Sequence, residues 1–248
     1  MLTVGQIPYL NCEPFYAHLT GVTLIPLTPR VLGRAMSEGT VDAGPLPLAD
    51  CIRLEENITR LPFGVATRRA AQSVFLLSRR PMAQLGGAHV GVTDEPSTSI
   101  QLLRLLLALK YRVEPRAFVK LHEESDAVLL IGDKALKALK CGTPYPHLID
   151  LGTEWVEWTG LPCVFACWAI RSALPKEAGE TLEESVSAAL ESGMAGLDGI
   201  AARRRDTGLT EAEVVGYLKG FVYRFGPEEE KAVAEFRRLL RLLHDSRC

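Results

Sequence analysis

The sequence predicts an α/β protein with mainly parallel sheets and helices on both faces. Three observations lead there: short apolar, β-branched runs alternate with helical stretches, the alternation comes in two sets, and the chain is helical from Leu174 on. At 248 residues the chain accommodates one large α/β domain or two lobes, because single cores stop growing near about 250 residues.

The opening reads β-α-β, with strands at Leu2 to Gly5 and Val22 to Ile25 and a short helix between Cys12 and Leu19. Thr28 and Pro29 start the next helix, Val31, Leu32, Ala35 and Met36 form its apolar stripe, and Gly39 stops it. A strand at Val41 to Ala43, a helix at Leu48 to Glu55 and a fully buried strand at Gln72 to Ser78 follow. The second set runs through strand His89 to Val92, helix Ser99 to Tyr111, strands Phe118 to Leu121 and Ala127 to Ile131, and helix Lys134 to Lys140. Strand Leu148 to Leu151, a short helix around Trp155 and the buried-strand run Cys163 to Ile170 complete the alternation. In the tail, helices are expected at Glu180 to Glu191, at Thr210 to Phe225 and from Pro227, where Val233, Phe236, Leu239, Leu240 and Leu243 recur at helical spacing.

Composition narrows the function classes. With 47% hydrophobic residues, 23% charged residues and a net charge of −2, the chain has enough apolar residues for a core and no basic stripe for a polyanion. Nucleic acid is therefore excluded as a partner. The first residues lack the basic and apolar regions of a secretory signal, which points to the cytoplasm. The apolar run at Leu102 to Leu109 is broken by Arg104 and falls far short of the roughly 20 residues of a membrane span. The six cysteines form no C-x-x-C pair, and Cys163 and Cys167 stand about 13 Å apart along a strand, so no metal site is expected. The five dispersed histidines support no Ser-His-Asp triad.

Several strings, in order, carry a family resemblance: Gly5-Gln6-Ile7-Pro8-Tyr9-Leu10-Asn11-Cys12-Glu13-Pro14, then Asp42 to Pro47, Gln72 to Ser78, Ser97-Thr98-Ser99, Leu130 to Asp133, Asp150 to Trp155, and Trp158 to Ala169. Together these segments resemble the chorismate dehydratase family of the futalosine route to menaquinone. The resemblance implies a type II periplasmic-binding-protein-like fold, two α/β lobes with an interlobe cleft. Lobe 1 would comprise residues 1–70 plus 166–248, and lobe 2 residues 71–165, with crossovers near Ala66 to Ser73 and Leu161 to Phe165. It also implies a lyase that dehydrates chorismate to 3-[(1-carboxyvinyl)oxy]benzoate. Loss of water makes the ring aromatic, so no cofactor is needed, and a monomer or weak dimer is expected.

Asn11 follows the first strand, at the carboxyl end where open α/β sheets place ligands, and its amide can donate and accept at once. On position alone a turn-forming asparagine fits equally well; the resemblance assigns Asn11 and Ser73 to catalysis and Tyr9 to substrate binding. Ser73 by itself reads as a strand serine, and the family's Asp-Gly-Pro-like turn before it is replaced here by Thr67 to Gln72. Ser97, Thr98 and Ser99 open the leucine-rich helix, where hydroxyls and unpaired amides suit a carboxylate, though they also cap helices. Gly132 ends a strand and is a further binding candidate, while Asp133 reads as a helix cap. Trp155 and Trp158 share a helical face and read as packing. No protein base stands out near Asn11; the resemblance implies the substrate's own side-chain carboxylate as a candidate base. Competing expectations are a cytosolic small-molecule binding or sensor protein of this fold, and a 1,4-dihydroxy-6-naphthoate synthase-like enzyme.

Overall fold

The computed structural model describes residues 1–92, 97–121 and 123–245. The chain opens with β1 (Leu2–Gln6), α1 (Glu13–Tyr16), β2 (Val22–Pro26), α2 (Pro29–Glu38), β3 (Ala43–Pro47), α3 (Leu48–Arg53) and β4 (Ile58–Thr67). Next come β5 (Val74–Ser78), β6 (His89–Val92), α4 (Ser97–Leu105), β7 (Ala117–Lys120), β8 (Ala127–Ile131), α5 (Asp133–Cys141), β9 (His147–Asp150) and α6 (Leu151–Thr159). The last part holds β10 (Cys163–Arg171), α7 (Lys176–Ala195), α8 (Leu197–Arg203), α9 (Glu211–Lys219), β11 (Val222–Arg224) and α10 (Pro227–Asp245).

These elements form two compact units: Met1–Ala66 with Val164–Phe225, and Thr67–Cys163 with the residues from Gly226 on. The sequence reading had assigned α10 to the first unit. Its partners correct that: Phe236 stacks 5.6 Å from Trp155, and Glu229, 1% exposed, receives the Arg68 guanidinium at 3.0 Å.

Unit 1 carries a six-stranded sheet in the order β11-β4-β10-β3-β1-β2. β1 pairs parallel with β2 and β3, while β10 joins β3 antiparallel. Gly5 and Gly44 let these strands meet their cover closely. A Cβ on Gly5 would overlap Leu32 of α2, and one on Gly44 would stand 3.0 Å from the Gly5 carbonyl oxygen. Phe15, Trp168 and Tyr223 form the aromatic centre, with Phe15 5.5 Å from Trp168 and 5.4 Å from Tyr223. Burying each such ring contributes about 1.5–3 kcal/mol.

Unit 2 holds a five-stranded sheet in the order β7-β6-β8-β5-β9. β6, β7 and β8 run parallel, and β5 is antiparallel to both β8 and β9, so β5 alone runs against the other strands. Every residue of β5 is buried, as its unbroken apolar text requires of a strand covered on both faces. Trp155 donates its indole N–H to the Pro162 carbonyl at 2.9 Å and packs edge-on against Trp158.

Some local expectations move. The helix expected over Cys12 to Leu19 is a 3-10 turn at Leu10–Cys12 running into the single-turn α1. The strand expected at Val41 to Ala43 starts two residues later as β3, despite Pro45 and Pro47, because the β1–β3 ladder already ends at Val4↔Ala43 and leaves no amide needed there. β4 and β11 were not anticipated; Gly220 ends α9, and Val222 then pairs with Ala66. The helix expected to reach Tyr111 changes to a π turn at Leu106–Lys110. That turn is tied to α6, because Lys110 and Tyr111 both bind the Glu154 carboxylate. Gly132, not Asp133, caps α5.

Candidate functional site

In unit 1, β1 delivers the Ile7-Pro8-Tyr9 segment at its carboxyl end, and the 3-10 turn then places Leu10 and Cys12 inward, with Tyr9 and Asn11 half-buried. Tyr16 fixes this turn from behind. Its buried hydroxyl accepts the Ile7 N–H at 3.1 Å and lies 3.3 Å from the Gly5 carbonyl, to which it donates. Burial, helped by the neighbouring Cys12 thiol, pushes the Tyr16 phenol well above its ordinary pKa, so the anchor stays a neutral donor. The Asn11 side-chain oxygen Oδ1 accepts from the Cys12 thiol at 3.5 Å. Glu13, the nearest carboxylate in sequence, is held by Arg204 at 2.7 Å, and Arg204 also grips Asp206. That pairing occupies the Glu13 carboxylate.

In unit 2 the candidates gather at one edge of the sheet. β5 runs against its neighbours, so its start at Val74 lies opposite Ile131, the end of β8. The edge thus collects Ser73 before β5, Gly132 after β8, the first turn of α4 beyond β6, and Asp150 at the end of β9. Open α/β sheets bind ligands along this carboxyl edge.

Ser73 is 1% exposed, donates to the Ala71 carbonyl at 3.3 Å, and its own carbonyl accepts the Gly132 N–H at 2.8 Å. Ser73 and Gly132, expected separately as site residues, are therefore in direct contact. Gly132 has φ 59° and ψ −141°, a conformation open to glycine and costly for other residues. Thr98 and Ser99, 3% and 4% exposed, lie in the first turn of α4. The Ser97 side chain lies outside the described residues, as does Pro96 before it.

The turn over Thr67 to Gln72 is held by local bonds and by one distant carboxylate. Thr67 Oγ1 donates to the Ala70 carbonyl at 3.1 Å and accepts the Arg69 N–H at 3.2 Å. Gln72 adopts φ 59°, a left-handed conformation that strains a non-glycine residue by about 1–2 kcal/mol. The Asp150 carboxylate receives the Ala71 and Gln72 amides at 2.9 and 2.7 Å, and the Thr153 amide at 2.9 Å.

Tyr16 in unit 1 and Asp150 in unit 2 are residues that sequence reasoning missed as anchors of the Asn11 and Ser73 loops. For Asp150 the Asp-x-x-Thr pattern signals a helix cap, which it also is. Among the described residues, no group of three or more His, Cys, Asp or Glu side chains is placed to hold a metal ion. Nor is any described helix long and apolar enough to cross a membrane. The buried Cys51 thiol lies near the Leu46 and Cys167 carbonyls, and burial, then Cys167, raises its pKa, which makes it unreactive.

A family model described as menaquinone biosynthesis matches residues 2–241. This chain belongs to that menaquinone-biosynthesis family. Within reach of the family is a Thermus thermophilus protein named chorismate dehydratase, 30% identical over 96% of this chain and 95% of its own length. A second Thermus thermophilus protein, named 1,4-dihydroxy-6-naphtoate synthase, is 26% identical over 89% of this chain and 86% of its own. Among solved structures, an Archaeoglobus fulgidus protein superposes with a TM-score of 0.79 at 17% identity, covering 97% of each chain. The periplasmic aliphatic sulphonate-binding protein of Escherichia coli gives 0.67 at 17% identity, covering 99% of this chain and 87% of its own. These likenesses establish for this family member the periplasmic-binding-protein-like fold that the sequence predicted.

Proposed function

We propose that this chain is a cytoplasmic hydro-lyase that dehydrates chorismate to 3-[(1-carboxyvinyl)oxy]benzoate. The observation that carries this reading is the 30% identity to a chorismate dehydratase across nearly the whole of both chains. The identity to the naphthoate synthase is lower and covers less of either chain.

The chemistry removes the ring hydroxyl and a proton from the neighbouring ring carbon. The C–H electron pair becomes the new ring double bond as the C–O bond breaks, and the proton and hydroxide leave as water. Aromatisation drives the step, so the protein has to orient a dianion and ease the departure of hydroxide. In this reading the Asn11 amide donates to the departing oxygen, and the Ser73 hydroxyl orients the ring. Amides and hydroxyls at Ser97, Thr98 and Ser99 hold a carboxylate, Gly132, whose N–H is taken by the Ser73 carbonyl, leaves room for the substrate by having no side chain, and Tyr9 lines the first loop. The Glu13–Arg204 pair supports a site of neutral polar groups in which the substrate's own side-chain carboxylate takes the ring proton and passes it to the departing hydroxide, so that water leaves.

Purified protein incubated with chorismate should form the enolpyruvyl benzoate, followed by chromatography and absorbance. Asn11→Ala and Ser73→Ala should each lower kcat by roughly 100-fold or more, the scale of losing an oriented polar group, with circular dichroism unchanged. Near-normal rates in both would sink the residue assignment. A second reading, a small-molecule binding protein, is favoured by the likeness to the sulphonate-binding protein. Chorismate binding by calorimetry without product would select it.

A further inference from the structure

The loop before Ser73 holds a strained residue that its own sequence does not explain. Gln72, an exposed non-glycine side chain, sits at φ 59° one position before the serine. The two amides leading into that conformation, Ala71 and Gln72, point at one carboxylate, with Ala71 on Oδ1 at 2.9 Å and Gln72 on Oδ2 at 2.7 Å. The carboxylate belongs to Asp150, 79 and 78 residues further along the chain.

We propose that Asp150 is a positioning residue for Ser73: it locks the Ala71–Gln72 backbone in the left-handed turn that aims the serine hydroxyl. The proposal rests on the substrate-facing role given to Ser73 above. Three further observations converge on it. The Ser73 hydroxyl donates to the Ala71 carbonyl at 3.3 Å, so the residue gripped by Asp150 also sets the direction of the hydroxyl. Gly152 is shaped to the same loop, because a Cβ there would come within 2.9 Å of the Ala71 nitrogen and 3.0 Å of its Cβ. At its other end the loop is tied by Arg68, whose Nε and guanidinium nitrogen both donate to the buried Glu229. Charged acceptors make the stronger hydrogen bonds, and two parallel ones on adjacent amides also fix geometry.

Helix capping is the competing role, because Asp150 also accepts the Thr153 amide at 2.9 Å. Asp150→Ser separates the two. Serine is a good N-cap and keeps the Thr153 bond, but one short hydroxyl cannot bridge two amides on another loop. We expect kcat for chorismate dehydration to fall 10- to 100-fold with KM changed less than threefold. Hydrogen exchange in a peptide spanning Ala70 to Val74 should speed up at least tenfold. Adding Gln72→Gly, which accepts φ 59° without strain, should recover part of the lost kcat.

Should Asp150→Ser fold poorly, Gln72→Val keeps Asp150 and drives the same backbone from the left-handed region, so it should lower kcat as well. Wild-type kcat in either folded variant overturns the proposal. If Ser73→Ala alone loses turnover, the reading of Ser73 stands and Asp150 drops out of it. If Ser73→Ala turns over normally, that reading falls first, and the exchange rates then report a loop anchor with no bearing on catalysis.

Discussion

The Asn11 loop of unit 1 and the Ser73 loop of unit 2 are held by opposite means. Tyr16 holds the first: a neutral, buried hydroxyl only 9 residues from the amide it receives, set in an aromatic cluster. Asp150 holds the second, a charged group bonded across 78 and 79 residues to amides near the surface. A local anchor forms with its loop, whereas a distant one must first close a long loop at an entropic cost that grows with length. The difference teaches where each loop is vulnerable: loss of the buried anchor threatens stability, and loss of the charged anchor threatens geometry.

The largest expected effect comes from the floor of the first loop. Trp168→Ala removes a fully buried ring that packs on Phe15 and Tyr16, and should lower unfolding free energy by about 3–5 kcal/mol in denaturant titration. Next, Tyr16→Phe strands the buried Ile7 amide and Gly5 carbonyl, and should cost about 1–3 kcal/mol by the same measurement. Asp150→Ser should cost less than Tyr16→Phe, because solvent can take over the exposed Gln72 amide; the reverse order would break the comparison.

A pH experiment sharpens the contrast. Tyr16 and Tyr223 are both raised by burial first, and then by neighbours, above the ordinary phenol value. A folded pKa above the unfolded one means that the neutral phenols stabilise the fold fully below about pH 10, and that this contribution is lost as pH rises through the folded value. An alkaline absorbance titration should therefore show these two phenols silent until the protein unfolds. Early ionisation of Tyr16→Phe-sensitive absorbance would mean that the anchor is open to water. The smallest effect is expected at Thr210→Ala, which deletes the reciprocal Thr210–Glu213 capping box of α9 and should cost about 1 kcal/mol.

What could be read from sequence followed the reach of the signals. α2 was legible because Pro29 and Gly39, the latter at φ 73°, punctuate it from within. β6 and β8 were legible at their observed bounds because parallel central strands are written as apolar runs. β3 was legible only at its first residue and β4 not at all, since prolines and glycines such as Pro45, Pro47, Pro62 and Gly64 are disfavoured inside strands; Gly64 is required where a Cβ would overlap the Ala166 carbonyl, a neighbour about a hundred residues away. The site divides in the same way. Asn11, Ser73, Gly132 and the α4 start stand in strings that carry the family resemblance, while their joint place on the edges of the two sheets depended on strand order. Tyr16 as a clamp and Asp150 as a staple are three-dimensional facts, and no local pattern encodes a bond to a residue 79 positions away.

The strand order of unit 1 has a further consequence during synthesis. β10 lies between β4 and β3, so the sheet begun by the first 67 residues has no central strand until Arg171 has left the ribosome. All five strands of the other sheet lie between Val74 and Asp150, and can pair while that gap is still open. The nascent chain therefore completes its second sheet first, and the unit that carries the N-terminus is the one that must wait with an unpaired strand edge exposed.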